Sequence, residues 1–483
     1  MAIMEKINRR QFIITENHYH VDGFLQKRLE NGYWLSWDSE LHIVENGPYI
    51  LLGRAFSCTE EKKVIPDVDS LQQMRNWAGR WVLIYEDRIY TDICGTLGCY
   101  YGYSKTGEFA VSSSLGLVAD FAEAEWTADY QIKYGDGNGL IDYYPIPETP
   151  YSGIKKLFAT QFICLQHTNK ILPRTDYIRH SYLSVPIDQL EDQFIRGIRT
   201  EMKNISAEFG DEVWVTLTGG VDSRSVFAAA VDSGIPFHSY TVHRTNTRTA
   251  DIERPKKISA MYKIPHLELD IRNPEKNNSA EIFDIHCAGD RKKGALVVGT
   301  ERQQYLAGVD VPVKNKAIVL WGTVWEASSR NYWNMLNPAD DVQGRLRSIS
   351  DLTGTIVMDS TFHERTLRAW LSYIEQNPMD SMNWKERFYY EERVGAWVSA
   401  AQQAYDLFDS ERIAPINCQA LFEMLRCMVI RSFAEDEHSD KRYQLQMIEK
   451  CCPELKKIPY GEEVRFSTRV TRKIRKILHL NKN

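Results

Sequence analysis

The sequence predicts an α/β protein in two parts: a β-rich layered first part and, from about residue 181, a parallel-sheet part that ends in helices. Three observations carry this. Short β-branched and aromatic segments, separated by Gly, Asn, Asp and Glu turns, run from Ile13 to about Asp176. Strand-like and helix-like segments then alternate from Val213 to Leu269. Beyond Leu352 the apolar residues recur at helical spacing.

A chain of 483 residues exceeds what one small core organises, so two or three units are expected. Its net charge of -6 is small for this length, so neither a broad nucleic-acid footprint nor an acidic tail is implied. No charged-then-apolar leader begins at Met1, and no apolar run is long enough to span a bilayer, which predicts a cytoplasmic protein. The nine cysteines lack CxxC spacing, and their odd count predicts reduced thiols. Adjacent Cys451 and Cys452 read as a helix end before Pro453 and not as a metal pair.

In chain order, Tyr33–Trp37, Leu41–Val44, Tyr49–Leu52, Arg80–Tyr85, Arg88–Asp92 and Phe109–Ser112 read as strands. Pro173, Asp176 and Pro186 mark a polar connection. After it, Leu190, Phe194, Ile198, Met202 and Ile205 fall on one face of an amphipathic helix. Val213–Leu217 is a strand, Thr218–Asp222 a tight loop, and a helix begins near Ser223. Phe237–His243 and Ile264–Leu269 are the next strands, with a helix over Asp251–Tyr262 between them. This alternation predicts a doubly wound sheet with its ligand beyond the carboxyl ends of the strands. Ala317–Leu320 is a further strand, and Leu367–Ile374, Phe388–Val398 and Leu421–Arg426 are helical, their aromatics serving core packing.

The loop Thr218-Gly219-Gly220-Val221-Asp222-Ser223 predicts anion binding. Two glycines let the backbone approach a ligand closely, and the helix start offers unpaired N–H groups and a positive dipole end. Thr218 and Ser223 add hydroxyl donors, while Asp222 serves either a metal or the helix N-cap. The Gly-Lys-Ser/Thr ending of the P-loop is lacking. Farther on, Glu326 and Arg330 follow a strand and a Gly322 turn: they hold magnesium and pyrophosphate, or form a surface pair four residues apart.

The hexapeptide resembles the Ser-Gly-Gly-x-Asp-Ser loop of the PP-loop ATP pyrophosphatases, with Thr218 keeping the first hydroxyl. In the first part, Gly79–Asp87, Tyr90–Tyr101 and Phe109–Ser114 resemble the class II glutamine amidotransferase domain in the order of their elements, as does Tyr151–Phe158. Together they resemble the asparagine synthetase-like architecture, which β-lactam synthetases and lasso-peptide cyclases share. The resemblance implies an Ntn-like αββα sandwich over residues 1–180 and a PP-loop parallel-sheet domain with a helical C-terminal part over 181–483. It also implies ATP and Mg2+, adenine held by the backbone at Val242, and charge stabilisation on phosphate by Arg224, Glu326 and Arg330, with Asp222 and Glu326 at the metal. Ser439–Lys441 and Leu455–Pro459 lie where that superfamily carries lysines, and Lys457 is the candidate.

One departure bears on function. Those glutaminases use an N-terminal cysteine exposed by Met removal as the nucleophile; here position 2 is Ala and the first cysteine is Cys58. The expectation is therefore an ATP-dependent ligase without its own glutaminase. It would adenylate a small-molecule or peptide carboxylate and pass the acyl group to an amine or ammonia, with no nucleic acid and with room for a homodimer. A glutamine-dependent asparagine synthetase and a non-catalytic nucleotide-binding homologue are the alternatives. The basic stretch Arg465–Asn483, with Val470, Ile474, Ile477 and Leu478 on one face, is a helix that docks on its own domain or touches a membrane or partner.

Overall fold

The computed structural model describes residues 8–125, 146–149, 151–166, 168–175, 182–243, 247–270, 272, 316–328, 341–353, 360–379, 383–435 and 441–460. Two antiparallel six-stranded sheets occupy the first part. The strands are β1 (Phe12–Thr15), β2 (Leu25–Arg28), β3 (Trp34–Trp37), β4 (Ile43–Asn46), β5 (Tyr49–Ser57), β6 (Trp77–Tyr85), β7 (Arg88–Thr91), β8 (Tyr100–Tyr103), β9 (Phe109–Ser112), β10 (Lys155–Lys156), β11 (Gln161–Cys164) and β12 (Lys170–Pro173). One sheet has the order β10-β8-β9-β1-β3-β2 and the other β12-β11-β7-β6-β5-β4.

The alternation of side chains makes these sheets a sandwich. Phe12, Ile14 and Leu35 from one sheet meet Ile50, Leu52, Val82, Ile84 and Ile163 from the other. On β6 the intervening Trp77, Trp81 and Leu83 point to the opposite face, against Val64 and Met74. That is the period of two of a strand buried on both sides. A one-turn helix α1 (Ser70–Gln73) lies beside this second layer, and α2 (Leu115–Ala122), N-capped by the Ser114 side chain, covers the other sheet through Leu117, Ile13 and Ala110. The two packed sheets of the expected sandwich are present; among the described residues α1, α2 and the 3-10 turn Met74–Asn76 lie on their outer faces.

The second part is built on a parallel sheet of order β15-β14-β13-β16-β17, comprising β13 (Val213–Thr216), β14 (His238–His243), β15 (His266–Asp270), β16 (Ala317–Leu320) and β17 (Ser410–Ile413). Helix α3 (Ile187–Phe209) leads in, with Leu190, Phe194, Ile198, Met202 and Ile205 all buried, as their spacing predicts. Then α4 (Val221–Asp232) and α5 (Thr249–Met261) connect β13 to β14 and β14 to β15. From β13 the chain thus runs outward to one side, whereas β16 and β17 pair on the other. The crevice beyond the carboxyl ends of β13 and β16 is the topological switch point.

Edge strand β17 was not among the expected strands, because its sequence, Ser410-Glu411-Arg412-Ile413, has no apolar run to announce it. Its pairing with β16 runs from Ala317↔Ser410 to Leu320↔Ile413. Among the described residues, helices α6 (Val342–Thr353), α7 (Ser360–Gln376), α8 (Trp384–Arg387), α9 (Ser399–Ala404), α10 (Gln419–Glu435) and α11 (Arg442–Cys451) also belong to this part. Between α8 and α9, Phe388–Val398 is wound with the wider π-helical repeat. One core joins the two parts: Phe56, Cys58 and Ala78 pack with α3, with Val213 and Val215, and with Leu421 and Leu425. Among the described residues, no helix is long and apolar enough to cross a membrane.

Candidate functional site

The loop after β13 is closed on itself by its hydroxyls. Thr218 Oγ1 and Ser223 Oγ lie 2.9 Å apart, the Thr218 N–H donates to Ser223 Oγ at 3.0 Å, and the Gly220 N–H donates to Thr218 Oγ1 at 3.2 Å. The Gly219 N–H donates to Asp251 Oδ1, 2.9 Å away in the first turn of α5. A Cβ on Gly219 would stand 2.7 Å from that oxygen, so a side chain there would push the Asp251 carboxylate aside.

Helix α4 starts at Val221, two residues earlier than the sequence suggests, with Gly220 as an N-cap that gives no side-chain bond. Asp222 is consequently inside the first turn, and its reading as the N-cap is corrected. Its carboxylate accepts from Lys441 Nζ at 3.0 and 3.2 Å and from Gln444 Nε2 at 2.8 Å. The amide oxygen of Gln444 accepts from Ser328 Oγ at 2.7 Å, which extends the network to the turn after β16.

That turn, Trp325–Ser328, carries Glu326, whose carboxylate accepts from the Tyr389 hydroxyl at 2.8 Å. Burial pushes the Glu326 carboxyl above the usual carboxylate range, and the Asp222 charge adds to the push, while Tyr389 and Lys441 oppose it. Two carboxylates and one ammonium therefore share a small volume at the switch point. Gly322 brings the β16 loop hard against α4, since a Cβ there would lie 2.7 Å from the Asp222 carbonyl carbon and from the Ser223 nitrogen.

The remaining expected residues fall elsewhere. Arg224 is 0% exposed, and its guanidinium is taken up by the carbonyls of Ile458 and Pro459 at 2.7 Å each and of Gly219 at 3.2 Å. Its expected place on a phosphate is thus corrected: the side chain points under the loop toward the chain's later segment. Lys457, favoured as the functional lysine, is also corrected. Its side chain is 64% exposed and paired with Glu454, whereas Lys441 stands on Asp222. Val242 lies beyond the last pair that β14 makes with β13, Thr216↔Tyr240, and its carbonyl is 3.5 Å from the Thr247 hydroxyl. Arg330 lies outside the described residues, as does the basic stretch from Arg465.

Sequence reading missed Gln444, Tyr389 and Asp251. Tyr389 sat in an aromatic run read as core, and Asp251 and Gln444 belong to no motif; only the Ser439–Lys441 segment carried a signal, through its lysine. Among the described residues no group of three His, Cys, Asp or Glu side chains forms a metal cluster. Asp222 and Glu326 nonetheless fit magnesium, which binds one or two carboxylates and takes its other oxygens from phosphates and water. The fit lies in an acid raised by burial and then by its neighbour's charge: a divalent cation there would relieve the repulsion that Lys441 now relieves.

A scan of protein-family models found no match, and a search of curated proteins found none. Among solved structures, NMN synthetase from Francisella tularensis is similar over 18% of this chain and 36% of its own, with 17% identity and a TM-score of 0.16. Glutamine phosphoribosylpyrophosphate amidotransferase from B. subtilis, solved with ADP and GMP, is similar over 55% of this chain and 86% of its own, with 8% identity and a TM-score of 0.21. Scores of this size establish neither a shared fold nor a shared activity.

Proposed function

We propose that the chain is an ATP-dependent carbon–nitrogen ligase. The observation that carries the reading is the meeting, at the switch point of a parallel sheet, of a Gly-Gly loop leading into a helix start with two carboxylates and a lysine: Asp222, Glu326 and Lys441. In this reading residues 181–483 form the synthetase domain and residues 1–180 a glutaminase-like domain that does not hydrolyse glutamine.

Backbone N–H groups at the start of α4, residues 221–223, with the hydroxyls of Thr218 and Ser223, bind the β- and γ-phosphates; the backbone at Val242 takes the adenine edge. Magnesium, held by Asp222 and Glu326, would offset phosphate charge as pyrophosphate leaves. A substrate carboxylate oxygen bonds to the α-phosphorus, and the bond to the β-phosphate bridge breaks. The amine nitrogen then bonds to the acyl carbon, AMP departs, and the amine proton passes to a base. Lys441 places a cation beside the phosphates, where negative charge develops. Arg330 keeps its part in charge stabilisation by resemblance alone.

The thiols are in keeping with a first domain that does not hydrolyse glutamine. Cys58, Cys94, Cys99 and Cys164, the cysteines of the first part, are all buried, and burial raises the thiols of Cys94 and Cys99. None is an exposed nucleophile. A non-catalytic nucleotide-binding role has one observation in its favour, the occupation of Asp222 by Lys441 and Gln444. Exchange of labelled pyrophosphate into ATP, dependent on magnesium and one of a panel of carboxylic acids, tests the reading. Exchange that requires an acid and vanishes in Asp222→Ala supports the ligase; tight ATP binding without exchange for any acid or for a cell extract supports the non-catalytic role.

A further inference from the structure

The first turn of α4 is gripped from outside the sheet at two points, both by one stretch of chain. Asp222 is held by Lys441 and Gln444, at the start of α11. Arg224, two residues on, is held by the carbonyls of Ile458 and Pro459, and its guanidinium carbon lies 4.4 Å from the centre of the Tyr460 ring. The same guanidinium reaches the carbonyl of Gly219, inside the phosphate loop, at 3.2 Å. Arg224 is fully buried.

A buried guanidinium has five donors in a rigid planar fork, and here three of its contacts are to backbone carbonyls. Carbonyls set the position of a main chain, so an arginine that bridges three of them fixes two stretches of backbone relative to each other. One stretch is the 458–459 turn and the other is the loop that would wrap pyrophosphate. Burial lowers the Arg224 pKa to about 10, with Arg254 adding to the fall, and Tyr460 and Asp251 hold it up. At pH 7 the group remains charged and its donors remain available.

We infer that Arg224 is a positioning residue that shapes the phosphate loop through the Gly219 carbonyl, and that segment 458–460, with its Tyr460 ring, is the support on which it does so. The chain from Lys441 to Tyr460 is thereby a clasp on the nucleotide site, not merely a covering layer. The inference rests on the proposed nucleotide site for its functional meaning, and on the contacts above for its physical content.

The test separates the two. Hydrogen exchange of the amides at residues 219–223 is followed in the intact chain without nucleotide, for wild type, Tyr460→Leu, Arg224→Lys and the double variant, with melting temperature and the amides of 12–15 and 109–112 as controls. Both single variants are expected to speed exchange in the loop, on the order of tenfold, as loss of charge-assisted hydrogen bonds does, with the controls unchanged. The double variant should exceed neither single one by much, since both break one linkage. Where exchange of pyrophosphate into ATP is measurable, the same variants should raise the KM for MgATP more than they lower kcat. Additive effects in the double variant, or no change at 219–223 with Tyr460→Leu, would overturn the inference whatever the ATP result. Accelerated loop exchange in a protein that never binds ATP would leave it standing and sink the proposed function. Should Arg224→Lys fail to fold, Tyr460→Leu decides alone, because it leaves the guanidinium and its three carbonyl contacts in the chain.

Discussion

At the scale of single residues, the site is defined by what each charge has for company. Asp222 is paired with Lys441, and burial, with the Asp222 charge added, holds the Glu326 carboxyl above the usual carboxylate range. Asp222→Asn removes the Lys441 partner and a proposed magnesium ligand together; pyrophosphate exchange should fall on the order of a hundredfold or more, a loss of about 2.7 kcal/mol in transition-state stabilisation. Glu326→Gln should lower the rate similarly and also raise the magnesium concentration needed for half-maximal exchange. Glu201 offers a control with no stake in the site. It is wholly buried on α3, neither carboxylate oxygen has a hydrogen-bond partner among the described residues, and burial first, then Cys418, raises its proton affinity well above the ordinary value of 4.5. An acid raised on folding keeps a proton that the unfolded chain releases above that value, so its cost is absent at low pH and grows as pH rises toward the folded value. Glu201→Gln should therefore unfold at higher urea than wild type at pH 8, by about 1 kcal/mol or more, and show no such advantage at pH 4. Equal gaps at the two pH values would show that Glu201 is ionised in the fold. Of these residues the sequence announced the ones in the loop, because glycine pairs and hydroxyls flanking a helix start have a backbone reason to be there. Lys441 and Tyr389 carry no such mark: a lysine and an aromatic become functional only by where the fold sets them down.

At the scale of elements, the site is a meeting of two strand ends. β13 and β16 are parallel neighbours, paired from Val213↔Ile318 to Val215↔Leu320, and the turn after each must pass through the same space. Gly322 is how they pass. Gly219 and Gly322 both leave a Cβ 2.7 Å from another atom, but the obstacles differ: at Gly219 it is the carboxylate oxygen of Asp251, and at Gly322 it is the backbone of Asp222 and Ser223. A side chain rotates away at modest cost; a helix start does not. Gly322→Ala should thus cost about 1–3 kcal/mol of stability by overpacking and weaken ATP binding further, whereas Gly219→Ala should mainly weaken ATP binding. Chemical denaturation beside ATP titration reads both, and a Gly322→Ala protein with wild-type affinity would refute the proposed crowding. Strand-level structure was legible where a period spoke for it. The stripe Leu190, Phe194, Ile198, Met202 and Ile205 announced α3, and Val213–Leu217 announced β13. β17 did not announce itself, since Glu411 and Arg412 interrupt any apolar run in this edge strand; Glu411 is bonded to Arg54 of β5 and Arg412 lies over the Tyr405 ring.

Across the whole molecule, the two parts meet through buried polar contacts as well as through the shared apolar core. Arg80 on β6 pairs with Asp406, one contact being 2.7 Å, and its Nε donates to the Thr96 carbonyl at 2.8 Å. Asp406 also accepts from Gln11 Nε2 at 2.9 Å, and Asn417 donates to the Gly79 carbonyl at 2.6 Å and to Asp92 at 2.9 Å. None of this is readable from the sequence, where Arg80 and Asp406 lie 326 positions apart and each looks like a surface charge. Such a pair fixes which groups face each other more than it adds net stability, because both charges have been taken from water. The consequence is an asymmetry. Asp406→Ala leaves Arg80 and Gln11 buried without their acid and should cost about 3–5 kcal/mol, while the double change Arg80→Met with Asp406→Leu should recover most of that loss. Urea unfolding of the three proteins measures it. A single variant as stable as wild type would mean that water reaches Arg80 when the acid is gone, and the contact between the parts would then be looser than this packing implies.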